Sequence, residues 1–460
     1  MGLDRSGGSA CASSGAMSAV REERNSGAPA SPPLGIYRTS AATAPSAGFS
    51  AHEFEPGRYA LVDNGTGEVV LTQGGGPDLQ RLDARVHKWV LHAAVRKLIP
   101  DHATASCCSV VLPKHRRAEA RREVNGVDIW KSEKHGTAHY GNLMTCGFVW
   151  SCPICAPKVA SRRAVEVEQA ITAHQATGGR VAFLTMTVPH YASDRLAELL
   201  PEFTEALRSF WSLRATKETL GLVGFAGSIR ALEVTHGQNG WHPHTHYLLF
   251  INNFTDLHAI QTLLYEQWER TVSRKLGRQI NGHGLTLQLV GGGSDQGGTD
   301  EDARQLSKYV VKGLEDSIWG VPQEMTGGHI KKGRMGGRTP FALLHDYATQ
   351  DDKQAGALFV EFVKAFHGRR QLSWSKGLRS KLLGTELEVS DQELAEMHTE
   401  ESTLLGTLTL EQWRRVLVAP RKDTRGLLLE VAAAGGWPAV ETFLETLPEV
   451  RRRRGKHETG

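Results

Sequence analysis

The segment from His242 to Ile251 constrains the fold more than any other part of the chain. It consists of His-Pro-His-Thr-His followed by the apolar run Tyr-Leu-Leu-Phe-Ile. A run of aromatic and aliphatic residues of this length predicts a strand. Because side chains alternate along a strand, His242, His244 and His246 share one face. Three buried imidazoles each need a hydrogen-bond partner, whereas one metal ion satisfies them together, so the pattern predicts a metal site.

The preceding strand adds a carboxylate to that face. The segment Ile-Arg-Ala-Leu-Glu-Val-Thr also predicts a strand, and the Gly-Gln-Asn-Gly turn that follows predicts a hairpin. A loop of residues 238–239 places Glu233 opposite His244, and a loop of residues 239–240 places it opposite His246. Such ligands suit Mn²⁺ or Mg²⁺ as well as Zn²⁺. The predicted ligands of a catalytic Mn²⁺ or Mg²⁺ ion are His244, His246 and Glu233, with His242 as a further candidate.

Cysteines form a second group of candidate metal ligands. Cys146, Cys152 and Cys155 have the spacing C-x5-C-x2-C, and a Cys-Cys pair lies further upstream. A C-x2-C pair with distant thiolates is typical of a closed, tetrahedral, structural zinc site. The predicted zinc ligands are Cys108, Cys146, Cys152 and Cys155, and the alternatives for the fourth ligand are Cys107, His135 and His139.

Composition places the chain among ordinary globular proteins, with 40% hydrophobic and 23% charged residues in 460. No apolar run approaches the ~20 residues that cross a bilayer, and the N-terminus lacks the apolar core of a signal peptide. We therefore expect a cytoplasmic protein.

Charge is distributed unevenly along the sequence. Residues 384–450 carry 13 Asp and Glu against 5 Lys and Arg, although the whole chain has a net charge of +4. The rest is therefore basic, with clusters at 114–117, 331–334 and 369–370. Because phosphate contacts dominate nucleic-acid affinity, basic clusters around a metal site favour a polyanionic substrate.

The order of predicted elements indicates one architecture around the histidines. Strands are predicted at 181–188 and 285–290 on either side of the hairpin, and amphipathic helices begin near 194 and 256. A further helix is predicted at 301–314. This order predicts an α+β fold, an antiparallel sheet with helices on one face in the split βαβ, ferredoxin-like arrangement. The open face of the sheet carries the histidines in this prediction.

The predicted helix at 301–314 contains a tyrosine and a lysine on one face. Tyr309 and Lys312 are three residues apart, which places them side by side on a helix. A tyrosine can act as a covalent nucleophile when a cation and a metal ion stabilise its phenolate.

The order of these motifs resembles that of the rolling-circle plasmid replication initiators of the HUH endonuclease superfamily. Phe-Leu-Thr-Met-Thr-Val-Pro at 183–189, Pro-His-Thr-His at 243–246 and the pair Tyr309 and Lys312 are similar to the three motifs of that family. The Cys-Gly-x-x-Trp-x-Cys-Pro-x-Cys segment and the basic residues 368–378 are similar to segments of the initiators of actinobacterial plasmids. The resemblance covers about 105–382.

The resemblance implies the palm of an HUH endonuclease, in which His244 and His246 bind the ion and Tyr309 is the nucleophile. It implies single-stranded or cruciform origin DNA as substrate, a 5′-phosphotyrosine link, a 3′-OH primer and later rejoining of the displaced strand. Host helicase and polymerase are the implied partners. The DNA-binding residues expected in the basic segment are Arg369, Arg370 and Lys376.

Two positions depart from the family pattern. Thr245 stands between the ligand histidines, where a bulky apolar residue is usual. Gln305 stands where related initiators often have a glutamate that activates water at termination, so either Asp302 serves instead or termination uses another route. A single-tyrosine HUH transposase and a non-enzymatic, zinc-containing DNA-binding regulator are the alternative functions.

The predicted division of the chain has five parts. These are a disordered or poorly structured leader (1–80), a cysteine zinc module with a basic segment (81–175), an HUH endonuclease domain with a basic extension (176–383), an acidic helical region (384–450) and a basic tail (451–460).

Overall fold

The computed structural model describes residues 49–55, 58–63, 69–71, 77–121, 123–253, 256–289, 337–397 and 401–449. Tyr309, Lys312, Asp302 and Gln305 lie outside the described residues, as do the helix predicted at 301–314 and the predicted tail.

The described elements are a mixture of strands and helices along the chain. The strands are β1 (Phe49–Glu55), β2 (Arg58–Asp63), β3 (Val69–Leu71), β4 (Gly126–Ser132), β5 (Ala138–Gly141), β6 (Arg180–Thr187), β7 (Phe225–Gly237), β8 (Gly240–Ile251), β9 (Leu285–Leu289), β10 (Leu372–Trp374) and β11 (Ser402–Thr409). The helices are α1 (Pro77–Leu98), α2 (Cys155–Ala176), α3 (Leu196–Ser212), α4 (Arg214–Leu222), α5 (Leu257–Leu276), α6 (Pro340–Gln350), α7 (Lys353–Phe366), α8 (Leu378–Leu383), α9 (Asp391–Glu396), α10 (Leu410–Val418) and α11 (Thr424–Glu445). Short 3-10 helices span Ala103–Ser106, Lys114–Arg116 and Glu119–Arg121.

A five-stranded antiparallel sheet positions the predicted histidines. Its strand order is β10-β7-β8-β6-β9. The helices α3 and α4 connect β6 to β7, and α5 connects β8 to β9. The predicted α+β class and the split βαβ order are therefore confirmed. β10, which comes from the predicted basic extension, pairs with β7 and forms one edge of the sheet.

One face of the sheet packs on α3 and α5. The buried residues of α3 recur every three or four positions, as an amphipathic helix requires, and include Leu196, Leu200, Phe203, Leu207 and Phe210. Asp256 caps the N-terminus of α5, because its carboxylate accepts hydrogen bonds from the backbone N–H groups of His258 and Ala259. The helix ends at Gly277, whose φ of 66° is the left-handed conformation common at helix ends.

Helices cover both faces of the sheet, so the prediction of helices on one face was wrong. α2 and α8 pack on the face that carries the histidines, where Val167, Ile171 and Leu378 join Phe183 and Phe250 in a buried cluster. This cluster covers one half of the face, and the histidines occupy the other half. The prediction failed because α2 lies within the predicted cysteine module, and the sequence does not show that it turns back onto the sheet.

The cysteine segment and the acidic region share one hydrophobic core. β11 pairs with β4, giving a second antiparallel sheet of order β11-β4-β5. Ile129, Cys152 and Leu428 all lie in this core. The described residues of the acidic region, 384–397 and 401–449, therefore pack as part of the cysteine unit, and they contain a strand as well as helices. The exact domain limits stay predictions.

Three strands lie within the predicted leader. β1, β2 and β3 form an antiparallel sheet in that order. Residues 49–55, 58–63 and 69–71 of the leader are therefore strands, and the limits of the leader stay a prediction.

Among the described helices, α11 is long and apolar enough to cross a membrane by length and composition alone. No such segment was predicted from the sequence. Leu428 and Ala432 of this helix are fully buried in the second core, and Gly436 interrupts its helical geometry. Its apolar character is explained by packing within the protein.

Candidate metal centres

The β7–β8 hairpin brings Glu233 directly opposite His244. Gly237 pairs with Gly240, so the loop consists of residues 238–239. This is the first of the two predicted registers. Gly240 has a φ of 81°, and a Cβ there would lie 2.8 Å from the Tyr191 carbonyl oxygen, so the tight turn depends on glycine at this position.

Glu233, His244 and His246 form the first candidate metal centre. The Nε2 atom of His244 lies 3.1 Å from Oε2 of Glu233, and Nε2 of His246 lies 3.7 Å from the same oxygen. One potential ligand atom from each residue lies within 4.8 Å of the others. The three residues predicted to bind the catalytic ion therefore converge in space.

His246 is oriented by contacts that leave one nitrogen available. Its Nδ1 is 3.0 Å from the Thr185 hydroxyl, and its ring stacks on Phe183 at a centroid distance of 5.0 Å. Its Nε2 is buried and has no hydrogen-bond partner among the described residues. An orphaned imidazole nitrogen beside a carboxylate fits a metal ligand, because a buried polar atom without a partner is costly.

Electrostatics at this site favour an ionised carboxylate. Burial raises the pKa of Glu233, but the hydrogen bond with His244 and the nearby imidazoles of His244 and His246 lower it more, so the pKa lies well below its usual range. A carboxylate that is already deprotonated is ready to bind a cation without releasing a proton.

His242 does not join this group, although it lies on the same face. Its Nε2 is 2.6 Å from the Thr187 hydroxyl, and its ring stacks on His190 at 4.7 Å. Burial and the charge of His244 lower the pKa of His242 to about 3, so the ring is neutral at neutral pH. The structure thus places His242 beside the group of Glu233, His244 and His246 and not within it.

Four cysteines form the second candidate metal centre. The Sγ atoms of Cys107, Cys146, Cys152 and Cys155 all lie within 4.8 Å of one another. The structure brings in Cys107 and not Cys108, so the choice of Cys108 was wrong. Cys108 has a φ of 46°, and this left-handed backbone directs the side chains of the two adjacent cysteines differently.

The spacing of the sulfur atoms fits a tetrahedral ion. Sγ of Cys155 lies 3.4 Å from that of Cys107 and 3.8 Å from that of Cys146. Zn–S bonds of about 2.3 Å place sulfurs about 3.8 Å apart in a tetrahedron. Burial raises the pKa of Cys152, whereas hydrogen bonds from the neighbouring thiols lower the pKa of Cys155. Buried thiols of this kind suit zinc, and the identity of the metal stays a prediction.

The predicted DNA-binding residues have different surroundings. Arg369 donates to the Ala365 carbonyl and to the Thr204 hydroxyl, which are contacts within the protein. Arg370 is exposed and pairs with Glu388 at 3.0 Å. Lys376 is exposed. Arg369 thus has a structural position, whereas the other two lie at the surface.

Sequence reasoning missed Thr185 as the partner of His246. The signal was available, because Thr185 and Thr187 alternate along β6 and face the histidines across the β6–β8 pairing.

Together, the antiparallel sheet and these two clusters define an α+β protein with two candidate metal centres. Residues 144–417 match the family described as "Replication protein", which is more than half of the sequence. The chain belongs to this family of replication proteins. The match confirms the resemblance to plasmid replication initiators that the motifs indicated.

Relatives with similar sequences include proteins from Streptomyces and Bacillus. "Protein rep" of Streptomyces lividans is 27% identical over 321 residues, which are 56% of this chain and 68% of that protein. "Protein rep" of a Bacillus species is 32% identical over 176 residues, which are 35% of this chain and 55% of that protein. The "Neomycin resistance protein" of Streptomyces cyanogenus is 30% identical over 146 residues, which are 26% of this chain and 33% of that protein. No solved structure matches the chain.

Proposed function

We propose that this protein initiates rolling-circle replication of a plasmid by nicking one strand of the origin. The observation that carries the proposal is the convergence of Glu233, His244 and His246, with the buried Nε2 of His246 left without a partner among the described residues. In a member of the replication protein family, such a site suits the scissile phosphate of origin DNA. The HUH palm, the single-tyrosine chemistry and the cytoplasmic location are parts of this proposal.

The protein's own residues prepare the site for a divalent ion, Mn²⁺ or Mg²⁺. Thr185 fixes the His246 ring, and Glu233 supplies an ionised oxygen beside both histidines. When bound, the ion supplies Lewis-acid activation of a phosphate. The negative charge of Glu233 and the two imidazole nitrogens beside it match the ligands that such an ion takes.

Tyr309 is the proposed nucleophile. Its phenolic oxygen forms a bond to phosphorus as the P–O3′ bond breaks, which leaves a 5′-phosphotyrosine link. The phenol loses its proton, and the departing 3′ oxygen gains one to become the 3′-OH primer. Because a free tyrosine has a pKa near 10, ionisation at neutral pH costs about 4 kcal/mol. Lys312, one helical turn away in the predicted helix, would offset part of this cost.

The reaction partners follow from the same proposal. The substrate is single-stranded or cruciform origin DNA, and host helicase and polymerase extend the primer. Arg370 and Lys376 lie at the surface, where they can contact phosphates. A second transesterification, with Asp302 as the proposed termination acid, rejoins the displaced strand.

A nicking assay on labelled single-stranded oligonucleotides tests the proposal. The oligonucleotides tile the non-coding DNA beside the gene, and the protein is supplied with Mn²⁺. We expect EDTA to stop nicking, added Mn²⁺ to restore it, and Glu233→Ala to require more Mn²⁺ for half-maximal nicking. If the wild-type protein binds these DNAs but never cleaves them, the non-enzymatic regulator is the better description.

A further inference from the structure

Arg425 is a buried arginine in the core of the cysteine unit. It lies in the first turn of α11, and its exposed fraction is 5%. None of the described carboxylates forms an ion pair with it. A buried cation without a countercharge is costly, so the position requires an explanation.

The guanidinium contacts the segment that carries a predicted metal ligand. One terminal nitrogen of Arg425 donates to the Cys108 carbonyl at 3.3 Å and to the Ser109 hydroxyl at 3.2 Å. The group also lies over the Trp89 ring, with its central carbon 4.6 Å from the ring centroid. These contacts place the positive charge of Arg425 beside Cys108 and Ser109, the two residues that follow Cys107.

A chain of hydrogen bonds also connects Arg425 to the residue before Cys152. The remaining terminal nitrogen donates to Nδ1 of His92 at 2.9 Å. Nε2 of His92 therefore carries the proton and donates to the Thr104 carbonyl at 2.8 Å. The Thr104 hydroxyl is 2.7 Å from that of Ser151, the residue before Cys152.

The charge of a zinc centre explains why a cation is buried here. Four thiolates around Zn²⁺ carry a net charge of about −2, which is costly in a core unless cations lie nearby. We propose that Arg425 is the buried countercharge that stabilises a zinc ion bound by Cys107, Cys146, Cys152 and Cys155. Burial lowers the pKa of Arg425 to about 10, so the group stays protonated at neutral pH.

The position of Arg425 in the sequence has a structural consequence. The thiolates lie between residues 107 and 155, whereas the cation comes from the acidic region at 384–450. The zinc centre is therefore complete only when α11 packs on the cysteine segment. This inference rests on the proposed zinc centre and is independent of the nicking chemistry.

Zinc retention by full-length Arg425→Met tests the proposal. We expect the zinc-loaded variant to lose Zn²⁺ to a competing chromogenic chelator with an affinity about tenfold weaker or more, since partners of metal ligands typically have effects of this size. The metal-free, reduced form should show no loss of thermal midpoint, because methionine removes a buried cation that none of the described carboxylates pairs with. The two forms therefore respond in opposite ways.

Two further variants separate charge from shape. Arg425→Lys keeps the charge and should recover part of the affinity, whereas Arg425→Gln keeps a hydrogen-bond donor and should not. Comparing the zinc affinities of these two variants shows whether the positive charge matters, even if the methionine variant fails to fold. Arg415→Met is the matched control, because Arg415 caps the carbonyls of Leu444 and Leu447 in the same core without contacting the cysteine segment.

Several results would overturn the proposal. One is a zinc affinity of Arg425→Met within about twofold of the wild type. Another is an equal loss of thermal midpoint with and without zinc, which indicates a purely structural arginine. A wild-type protein that binds neither Zn²⁺ nor Co²⁺ also overturns it. None of these measurements uses DNA, so a failure of the proposed initiator function leaves their outcome unchanged.

Discussion

His246 is held in a single orientation by its neighbours. The Thr185 hydroxyl meets Nδ1, the Phe183 ring covers one face of the imidazole, and Glu233 lies beyond Nε2. A histidine fixed through its second nitrogen loses little conformational freedom when it binds a metal ion. His242, four residues earlier, has a comparable hydroxyl partner in Thr187 but lies outside the group of ligands.

Thr185→Val tests this orientation at the level of one atom. Valine keeps the shape of threonine but leaves Nδ1 of His246 without its partner. We expect the Mn²⁺ affinity, measured by the electron paramagnetic resonance of free Mn²⁺, to fall by about tenfold. Thr187→Val is the control and should change the affinity by less than about twofold. Equal losses in the two variants would contradict a specific role for Thr185.

At the scale of elements, the sequence predicted the features that depend on local patterns, such as the β7–β8 hairpin. Alternation along β8 and the turn before it limited Glu233 to two registers, and both placed it among the histidines. The position of α2 depends instead on a contact between segments far apart in the chain, and no periodicity reveals its partner. The choice between Cys107 and Cys108 depended on one left-handed residue, which adjacent identical side chains do not reveal.

Buried ion pairs attach α2 to the segment that follows the sheet. Glu166 of α2 lies 3.1 Å from both Arg163 and Arg379, and its exposed fraction is 15%. Burial raises the pKa of Glu166, but hydrogen bonds and charge from the two arginines lower it more, so the net pKa lies below 4.5. The carboxylate therefore stabilises the fold fully above its ordinary pKa, and this stabilisation is lost as the pH falls through the lowered pKa.

Glu166→Gln should lower the free energy of unfolding by about 3 kcal/mol near neutral pH, because it removes the carboxylate that pairs with buried Arg379 and one of the partners of Arg163. Urea unfolding measures this difference, and it should shrink as the pH falls below about 4. Glu198→Gln serves as the control, since Glu198 and Arg195 are both largely exposed and their pair contributes less than about 1 kcal/mol. A difference that grows in acid would contradict the assigned role of Glu166.

At the scale of the whole molecule, α1 joins two hydrophobic cores. Leu91 and Val95 lie in the core beneath the five-stranded sheet, whereas Trp89 lies in the core of the cysteine unit. The acidic region completes the second core with Leu428 and its neighbours on α11. The two candidate metal centres thus belong to units that are joined through α1 and α2, and the C-terminal residues stabilise the cysteine centre.

Leu428→Ala tests the dependence of the cysteine centre on α11. Leu428 is fully buried, so we expect a loss of about 3 kcal/mol in the free energy of unfolding and faster removal of zinc by a chelator. Leu387→Ala provides the comparison, because the exposed fraction of Leu387 is 82%. Zinc release that is equally fast in both variants would show that α11 does not support the centre.

The central claim is covalent nicking by Tyr309, and trapping of the protein on DNA tests it most directly. Wild-type protein, Mn²⁺ and a labelled single-stranded origin oligonucleotide should give a denaturation-resistant adduct on the 5′ side of the nick. Tyr309→Phe removes only the hydroxyl group, so this variant should bind the same DNA and form no adduct. Fluorescence anisotropy with the same oligonucleotide is the control, because it shows that the variant still folds and binds. An adduct of undiminished yield from Tyr309→Phe would contradict the account.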